Sequence, residues 1–209
     1  MKVYKEKINF NLNKKDFFKL INYLNEKEKN KILKFVRYEY ALRSLYGKIL
    51  LMNALNLDKI DLNYNQYGKP ELVDMPNTYF NISHCNKWVV LAIDNKPIGI
   101  DVEEIKEDHL DIAKEFFSAE ENEYLSKIDK ERRVEEFYKL WTMKEAFVKN
   151  IGKGLHQEFN SFSINLINNK EEVIFNNKKY SFLVSKLENK YYLSICTEND
   201  LSKADDFIL

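Results

Sequence analysis

The strict alternation in Ile98-Gly99-Ile100-Asp101-Val102-Glu103 constrains this chain more than any other stretch. Strand side chains point alternately to two faces, so Ile98, Ile100 and Val102 share one face and Gly99, Asp101 and Glu103 the other. Two further strand candidates precede this one, Tyr79 to His84 and Trp88 to Asp94, joined by a short polar turn. The centre of the chain is therefore a sheet. On its polar face two carboxylates stand side by side, and Gly99 leaves an open space beside them, as expected of backbone that a ligand approaches closely.

Around that sheet the pattern changes period. Val3 to Phe10 reads as a strand, and Phe17, Phe18, Ile21 and Leu24 then recur at helical spacing. A longer helix is expected through Ile32, Leu33, Val36, Tyr40, Leu45, Ile49 and Met52, with Lys27, Lys29, Lys31, Lys34, Arg37 and Arg43 as its basic flank. Residues 58–77 turn polar around Tyr67-Gly68-Lys69-Pro70 and read as loop. Beyond the central strands, Ser118 stands three residues before Glu121 in the manner of a capping box, and helical text runs on through Glu131 to Asn150. Phe162 to Ile167, Val173 to Asn176, Tyr180 to Leu187 and Tyr191 to Thr197 read as a β-meander broken by Asn-Asn and Glu-Asn turns.

Composition narrows the function classes. With 44% hydrophobic and 14% aromatic residues against 5 Gly and 3 Pro, the chain has the material for a packed core and is not a disordered or low-complexity scaffold. At 209 residues it needs neither disulfides nor a structural metal to fold. The longest apolar run, Trp88 to Ile93, is far below the roughly 20 residues a membrane span requires. Charges interleave from Lys2 to Lys7 where a signal peptide needs an apolar stretch. Lys and Arg total 33, as do Asp and Glu, so no overall field draws the chain to nucleic acid. Cys85 and Cys196, with no CxxC, read as free thiols of a reducing cytoplasm.

Three segments carry chemistry. Asp101 and Glu103 repel each other unless a cation lies between them, and their hard oxygens suit Mg²⁺, which commonly takes one or two carboxylates plus substrate phosphates. On the helix through Trp141-Thr142-Met143-Lys144-Glu145-Ala146, Glu145 and Lys149 share a face. In Asn81-Ile82-Ser83-His84 a hydroxyl and an imidazole at a strand end can both donate to a phosphate oxygen. Each pattern alone is equally consistent with a solvated strand face, an ion pair four residues apart or a polar strand end.

Their order and spacing are more specific. Tyr67-Gly68-Lys69-Pro70, Asn81-Ile82-Ser83-His84, Gly99-Ile100-Asp101-Val102-Glu103, Phe116-Phe117-Ser118-Ala119-Glu120, Trp141 to Ala146 and finally Lys149 resemble the motif series of the Sfp-type 4′-phosphopantetheinyl transferases. The resemblance runs from the basic stretch near residue 27 to about Gly154. It implies an α/β (α+β) fold of two similar halves, 1–98 and 99–209, related by a pseudo-twofold axis with coenzyme A in the cleft between them. The length favours the doubled, monomeric type over the half-length trimeric synthases. The implied activity is Mg²⁺-dependent transfer of 4′-phosphopantetheine from coenzyme A to a serine of an apo acyl or peptidyl carrier protein, with release of adenosine 3′,5′-bisphosphate.

By resemblance, Asp101, Glu103 and Glu145 hold the metal, and Lys69, Ser83, His84 and Lys149 hold coenzyme A phosphates. Arg43 and Lys31 match the family's contacts to the 3′-phosphate. Where the family often has a second lysine ahead of Lys31, this chain has Glu28, between Lys27 and Lys29. Glu145, Lys149 and His84 are the implied catalytic residues, the base being Glu145 or a water that the metal holds near it. The alternatives are a non-catalytic coenzyme A or carrier-binding module, which would have lost a metal carboxylate, and a Mg²⁺-dependent phosphodiester hydrolase. For the carrier, the expected docking surface lies between Glu104 and Lys139, with Lys127, Lys130, Arg132 and Arg133 facing the partner and Phe117 in the core.

Overall fold

A computed structural model describes residues 1–106, 110–166, 171–199 and 201. Trp88–Asp94 forms strand β5, buried along its whole length, as a continuous apolar run demands. It pairs antiparallel with β1 (Lys2–Lys7) on one side and β4 (Tyr79–Cys85) on the other. A second sheet takes β6 (Ile98–Glu104), β9 (Tyr191–Thr197), β8 (Lys178–Leu187) and β7 (Glu172–Phe175) in that order, every pair antiparallel. Each sheet carries a long helix: α3 (Tyr38–Leu55) covers the first and α6 (Lys130–Ile151) the second.

The layers follow from the alternation. Val89 and Leu91 of β5 pack with Leu42, Leu45 and Leu51 of α3, whereas Val90 and Ala92 pack with Ile98, Ile100 and Val102 of β6 and Leu193 and Ile195 of β9. The apolar face of the 98–103 segment is thus the seam between two sheets, and its polar face looks towards α6. A third core joins Phe137, Leu140, Met143 and Phe147 of α6 to Phe162, Tyr180 and Phe182. The chain is a mixed α+β protein, as its sequence implies. No described helix is long and apolar enough to cross a membrane. Both cysteines are free thiols.

Local expectations hold where they rest on turn and cap chemistry. Ser118 and Glu121 form a complete capping box at the start of α5 (Ala119–Lys127). The β7–β8 turn uses Asn176 and Asn177, and the β8–β9 turn Glu188 and Asn189, all at positive φ. Three expectations need correction. The long helix expected from Ile32 to Met52 is two, α2 (Glu26–Leu33) and α3, broken at residues 34–37, where Val36 is fully exposed. Residues 58–77 contain a short hairpin, β2 (Leu62–Tyr64) with β3 (Pro70–Leu72). In the stretch expected as a strand from Phe162, a single bridge joins Asn165 to Glu172, and Ile167 lies outside the described residues. Two further α-helices are α1 (Lys14–Ile21) and α4 (Leu110–Phe116), the second of which the sequence did not lead one to expect, and short 3-10 turns follow α6 at Gly154–His156 and Phe159–Ser161.

Candidate active site

The site lies where α6 crosses β6. A Cβ on Gly99 would stand 1.9 Å from the Ala146 carbonyl oxygen and 2.5 Å from the Asn150 nitrogen. Glycine is therefore required for the helix backbone to lie directly on the strand. This corrects the expectation of open space for a ligand beside Asp101: the helix fills it. The close approach places Lys149 over the strand, with Nζ 2.5 Å from Asp101 Oδ1 and 3.1 Å from Ser83 Oγ. Ser83 reaches in from β4 and donates to the same Asp101 oxygen at 2.8 Å.

Side chains of β4 and of the turn after it tie β4 to β6 across the two sheets. Asn81 Oδ1 accepts from the Ile100 amide at 2.8 Å, Cys85 Sγ donates to Glu103 at 3.3 Å, and Asn86 donates to Glu104. These bonds fix which β4 side chain meets which carboxylate. Ser83 consequently faces Asp101, and Cys85 faces Glu103.

The electrostatics are those of an anionic cluster with one cation in it. Burial and the adjacent Asp101 push the Glu103 carboxyl up to about 7. Burial also raises Glu145, against the pull of Lys149. Burial alone would depress Lys149, but Asp101 and Glu145 outweigh it and hold the ammonium above its ordinary value. Asp101 Oδ2, buried, has no hydrogen-bond partner among the described residues. Such an orphan oxygen is costly unless a ligand completes it. Among the described residues no three His, Cys, Asp or Glu side chains form a ready-made metal cluster. An orphan carboxylate oxygen beside a second carboxyl fits Mg²⁺ nonetheless, because that ion needs only one or two protein carboxylates when phosphates supply the rest.

On the other side of Ser83 opens a cavity of about 290 Å³ lined by Phe35, Tyr40, Arg43, Lys48, Tyr64 and His84, among others. Its wall is cationic. His84 is held below its ordinary value by burial and by Lys149 and Arg43, and Arg43 Nε lies 3.5 Å from the Asn86 carbonyl. Lys31 does not line the cavity, but its Nζ lies 3.1 Å from the centre of the ring of Tyr64, which does.

Lys69 stands apart from that group. Its Nζ donates to Ile98 O at 3.1 Å and Asn150 O at 3.0 Å, and it lines a separate cavity of about 400 Å³ with Asn65, Glu71 and Thr78. Burial pulls its amine down to about 8, partly opposed by Glu71. The structure thus brings together Ser83, Asp101 and Lys149, with Glu103 and Glu145 in their field and His84 and Arg43 at the cavity, and leaves Lys69 as a link between β6 and the end of α6. Of the basic residues expected at the docking surface, Lys127 pairs with Glu123 and Arg132 with Glu136 while both stay exposed, and Arg133 donates to Ile128 O. Residues 107–109 of that stretch lie outside the described residues.

Two features escaped the sequence reading. Glu28, at the departure from the motif series, is a fully buried carboxylate that accepts from the Tyr64 hydroxyl at 2.9 Å and pairs with both Lys31 and Lys48 at 3.3 Å. Burial pushes it up, but Tyr64, Lys48 and Lys31 together hold it below the usual carboxylate range. Lys48 was legible in principle, since Arg43, Ser44, Gly47 and Lys48 share one flank of a helix.

Paired carboxylates thus lie under a lysine-bearing helix, beside a cavity whose wall is cationic. The chain belongs to the 4′-phosphopantetheinyl transferase family. Residues 97–196 match the 4′-phosphopantetheinyl transferase superfamily model, and residues 9–96 match the model for the N-terminal part of such a transferase. It is 38% identical over 172 residues to 4′-phosphopantetheinyl transferase Sfp of Bacillus subtilis, covering 79% of this chain and 77% of that one. Over 190 residues it is 38% identical to 4′-phosphopantetheinyl transferase gsp of Aneurinibacillus migulanus, covering 85% and 79%.

Proposed function

We propose that this chain transfers the 4′-phosphopantetheine group of coenzyme A to a serine of an apo acyl or peptidyl carrier protein. In that reaction the serine oxygen bonds to the β-phosphorus, the β-phosphorus to bridging-oxygen bond breaks, and adenosine 3′,5′-bisphosphate leaves. The reading is carried by one observation: Asp101, Ser83 and Lys149 converge next to His84, whose charge Lys149 and Asp101 influence and which lines a cationic cavity with Arg43.

Each residue then has a chemical task. Arg43 and His84 bind coenzyme A phosphates from the cavity wall, Lys31 supports that wall through Tyr64, and Ser83 and Lys149 donate to the diphosphate. Lys149 opposes charge that builds on the leaving phosphate, and does so without reorganising, because Asp101 already fixes its ammonium. Asp101, Glu103 and Glu145 would hold Mg²⁺, which when bound neutralises diphosphate charge. The serine proton goes to Glu145, whose carboxyl burial raises, or to a water that the metal would hold near it. Coenzyme A lies between the halves 1–98 and 99–209, and the protein acts as a cytoplasmic monomer; these parts of the proposal rest on the two-sheet architecture and the free thiols.

Mass spectrometry of a panel of apo carrier proteins incubated with the protein, Mg²⁺ and coenzyme A tests the proposal. At least one carrier gains the mass of a phosphopantetheine group, and the gain disappears with the Asp101→Asn variant. Coenzyme A binding with no modified carrier, or cleavage of coenzyme A without transfer, would replace the reading with the binding-module or hydrolase alternative.

A further inference from the structure

We propose that Lys48, with Glu28 as its buried counter-ion, binds the phosphate of coenzyme A that lies farthest from the transfer chemistry. The inference rests on the function proposed above and adds a binding residue to it.

Lys48 follows Ser44 by one helical turn on α3, and its side chain lines the same cavity as Arg43 and His84 while only 14% exposed. An ammonium has three N–H donors. Ser44 Oγ lies 3.2 Å from Nζ and Glu28 Oε2 3.3 Å, which leaves one donor without an acceptor among the described residues. A desolvated cation with a spare donor in a cavity wall is what an anion requires.

Glu28 neutralises only part of the charge around it. It is fully buried, it does not line the cavity, and one carboxylate is shared between Lys31, Lys48 and the Tyr64 hydroxyl. Two ammonium groups against one carboxylate leave a positive excess, and Arg43 adds to it in the same wall. Burial depresses Lys48, Glu28 opposes that, and Lys31 adds a smaller depression of its own. Lys31 is not part of the cavity lining; it is 41% exposed and sits over the Tyr64 ring.

The two ends of the cavity are chemically distinct. His84 feels Lys149 and Asp101, the residues of the reacting end. Lys48 feels Glu28 and Lys31. A ligand whose diphosphate engages His84 and Lys149 therefore brings a second anionic group to Lys48, and in coenzyme A that group is the 3′-phosphate.

The test is isothermal calorimetry of the full chain with coenzyme A and with 3′-dephospho-coenzyme A, for the wild type, Lys48→Met, Lys48→Arg and the double variant Glu28→Gln/Lys48→Met. Loss of one charge-assisted contact should weaken coenzyme A about tenfold in Lys48→Met and leave the dephospho ligand nearly unchanged. Lys48→Arg should keep most of the selectivity. The double variant removes the uncompensated carboxylate, so it should keep the wild-type melting temperature and still lack the selectivity. If both ligands weaken equally, or neither does, while the wild type still binds coenzyme A and modifies carriers, the role of Lys48 is overturned and the function stands. A wild type that does not bind coenzyme A overturns the function itself.

Discussion

Lys144 Nζ lies 2.6 Å from Glu121 Oε2, both side chains out of solvent, and donates as well to Phe162 O at 2.9 Å. The Glu121 carboxylate in turn caps α5 and accepts from the Ile164 amide at 2.8 Å. Lys144 and Glu145 are chain neighbours with opposite tasks: one pins α6 to α5 and the following loop, the other faces the site. Breaking one side of a buried pair leaves an uncompensated charge, so Lys144→Met should cost about 3–5 kcal/mol in chemical denaturation. Adding Glu121→Gln should recover part of that loss. Coenzyme A affinity of the folded variant should be unchanged; a large loss of affinity at full stability would move Lys144 into the site.

Gly99→Ala should be among the most damaging conservative substitutions in the chain. The added methyl meets helix backbone, not a flexible side chain, so the helix must move off the strand. Overpacking typically costs about 1–3 kcal/mol, and a clash with rigid backbone puts this one at the upper end. Since Lys149 reaches Asp101 only through that close approach, carrier modification should fall even at temperatures where the variant remains folded. A variant with wild-type melting and turnover would show that α6 does not rest on β6 there.

These two pairs mark what the sequence could and could not disclose. The alternation at 98–103 placed Asp101 and Glu103 on one face because a strand's period is local, and the capping box and Asn-Asn turn were legible for the same reason. The break at residues 34–37 was not, because it contains neither Gly nor Pro and the apolar spacing continues across it, although Leu33, Phe35 and Val36 face outward. The directions of Lys48, Lys69 and Lys144 were hidden as well. A lysine's partner is chosen by tertiary packing, and nothing within a few residues of Lys69 announces carbonyls at Ile98 and Asn150.

The Asp101 carboxylate combines a partnered oxygen with an orphan one, and Asp101→Asn separates their contributions. The amide keeps the shape and an acceptor for Ser83 and Lys149 but loses the charge a divalent cation needs. Carrier modification should fall on the order of 100-fold or more, the size of effect seen when one preorganised electrostatic contact is removed. Melting temperature should change little, and calorimetry should show weaker Mg²⁺ binding to the coenzyme A complex. Retained turnover at limiting Mg²⁺ would remove Asp101 from the metal site.

Lys69 gives the protein a pH-dependent stability. Its amine is at about 8 in the folded protein, below the ordinary value near 10.5 that the unfolded chain should show. Between those two values the unfolded chain binds the proton more tightly, so stability rises with pH across that window; below about 8 both states are protonated and the dependence vanishes. Urea denaturation from pH 7.5 to 10 should therefore show the wild type gaining on Lys69→Met as pH rises. Curves that stay parallel over this range would mean that Lys69 is not protonated less readily in the folded state.

The carrier should dock beside Glu103 through an apolar trench, with the basic face of α5 and early α6 contributing little. A groove of about 180 Å³ runs from Glu103 past Phe137, Tyr138 and Trp141 to Ile112, which is 37% exposed, and Phe116 lies exposed against Trp141. The groove ends on Glu103, and an apolar anchor seated in such a pocket commonly dominates an interface. Lys127 and Arg132 do not line the groove, so reversing them should alter carrier kinetics less than a change inside it. Ile112→Glu, by contrast, puts a charge into the trench and should raise the carrier KM on the order of tenfold. The KM for coenzyme A, whose cavity lies on the far side of Ser83, should not move. Steady-state kinetics at two ionic strengths would decide between the surfaces: a carrier KM that responds to the Lys127 and Arg132 reversals and not to Ile112→Glu returns docking to the basic face.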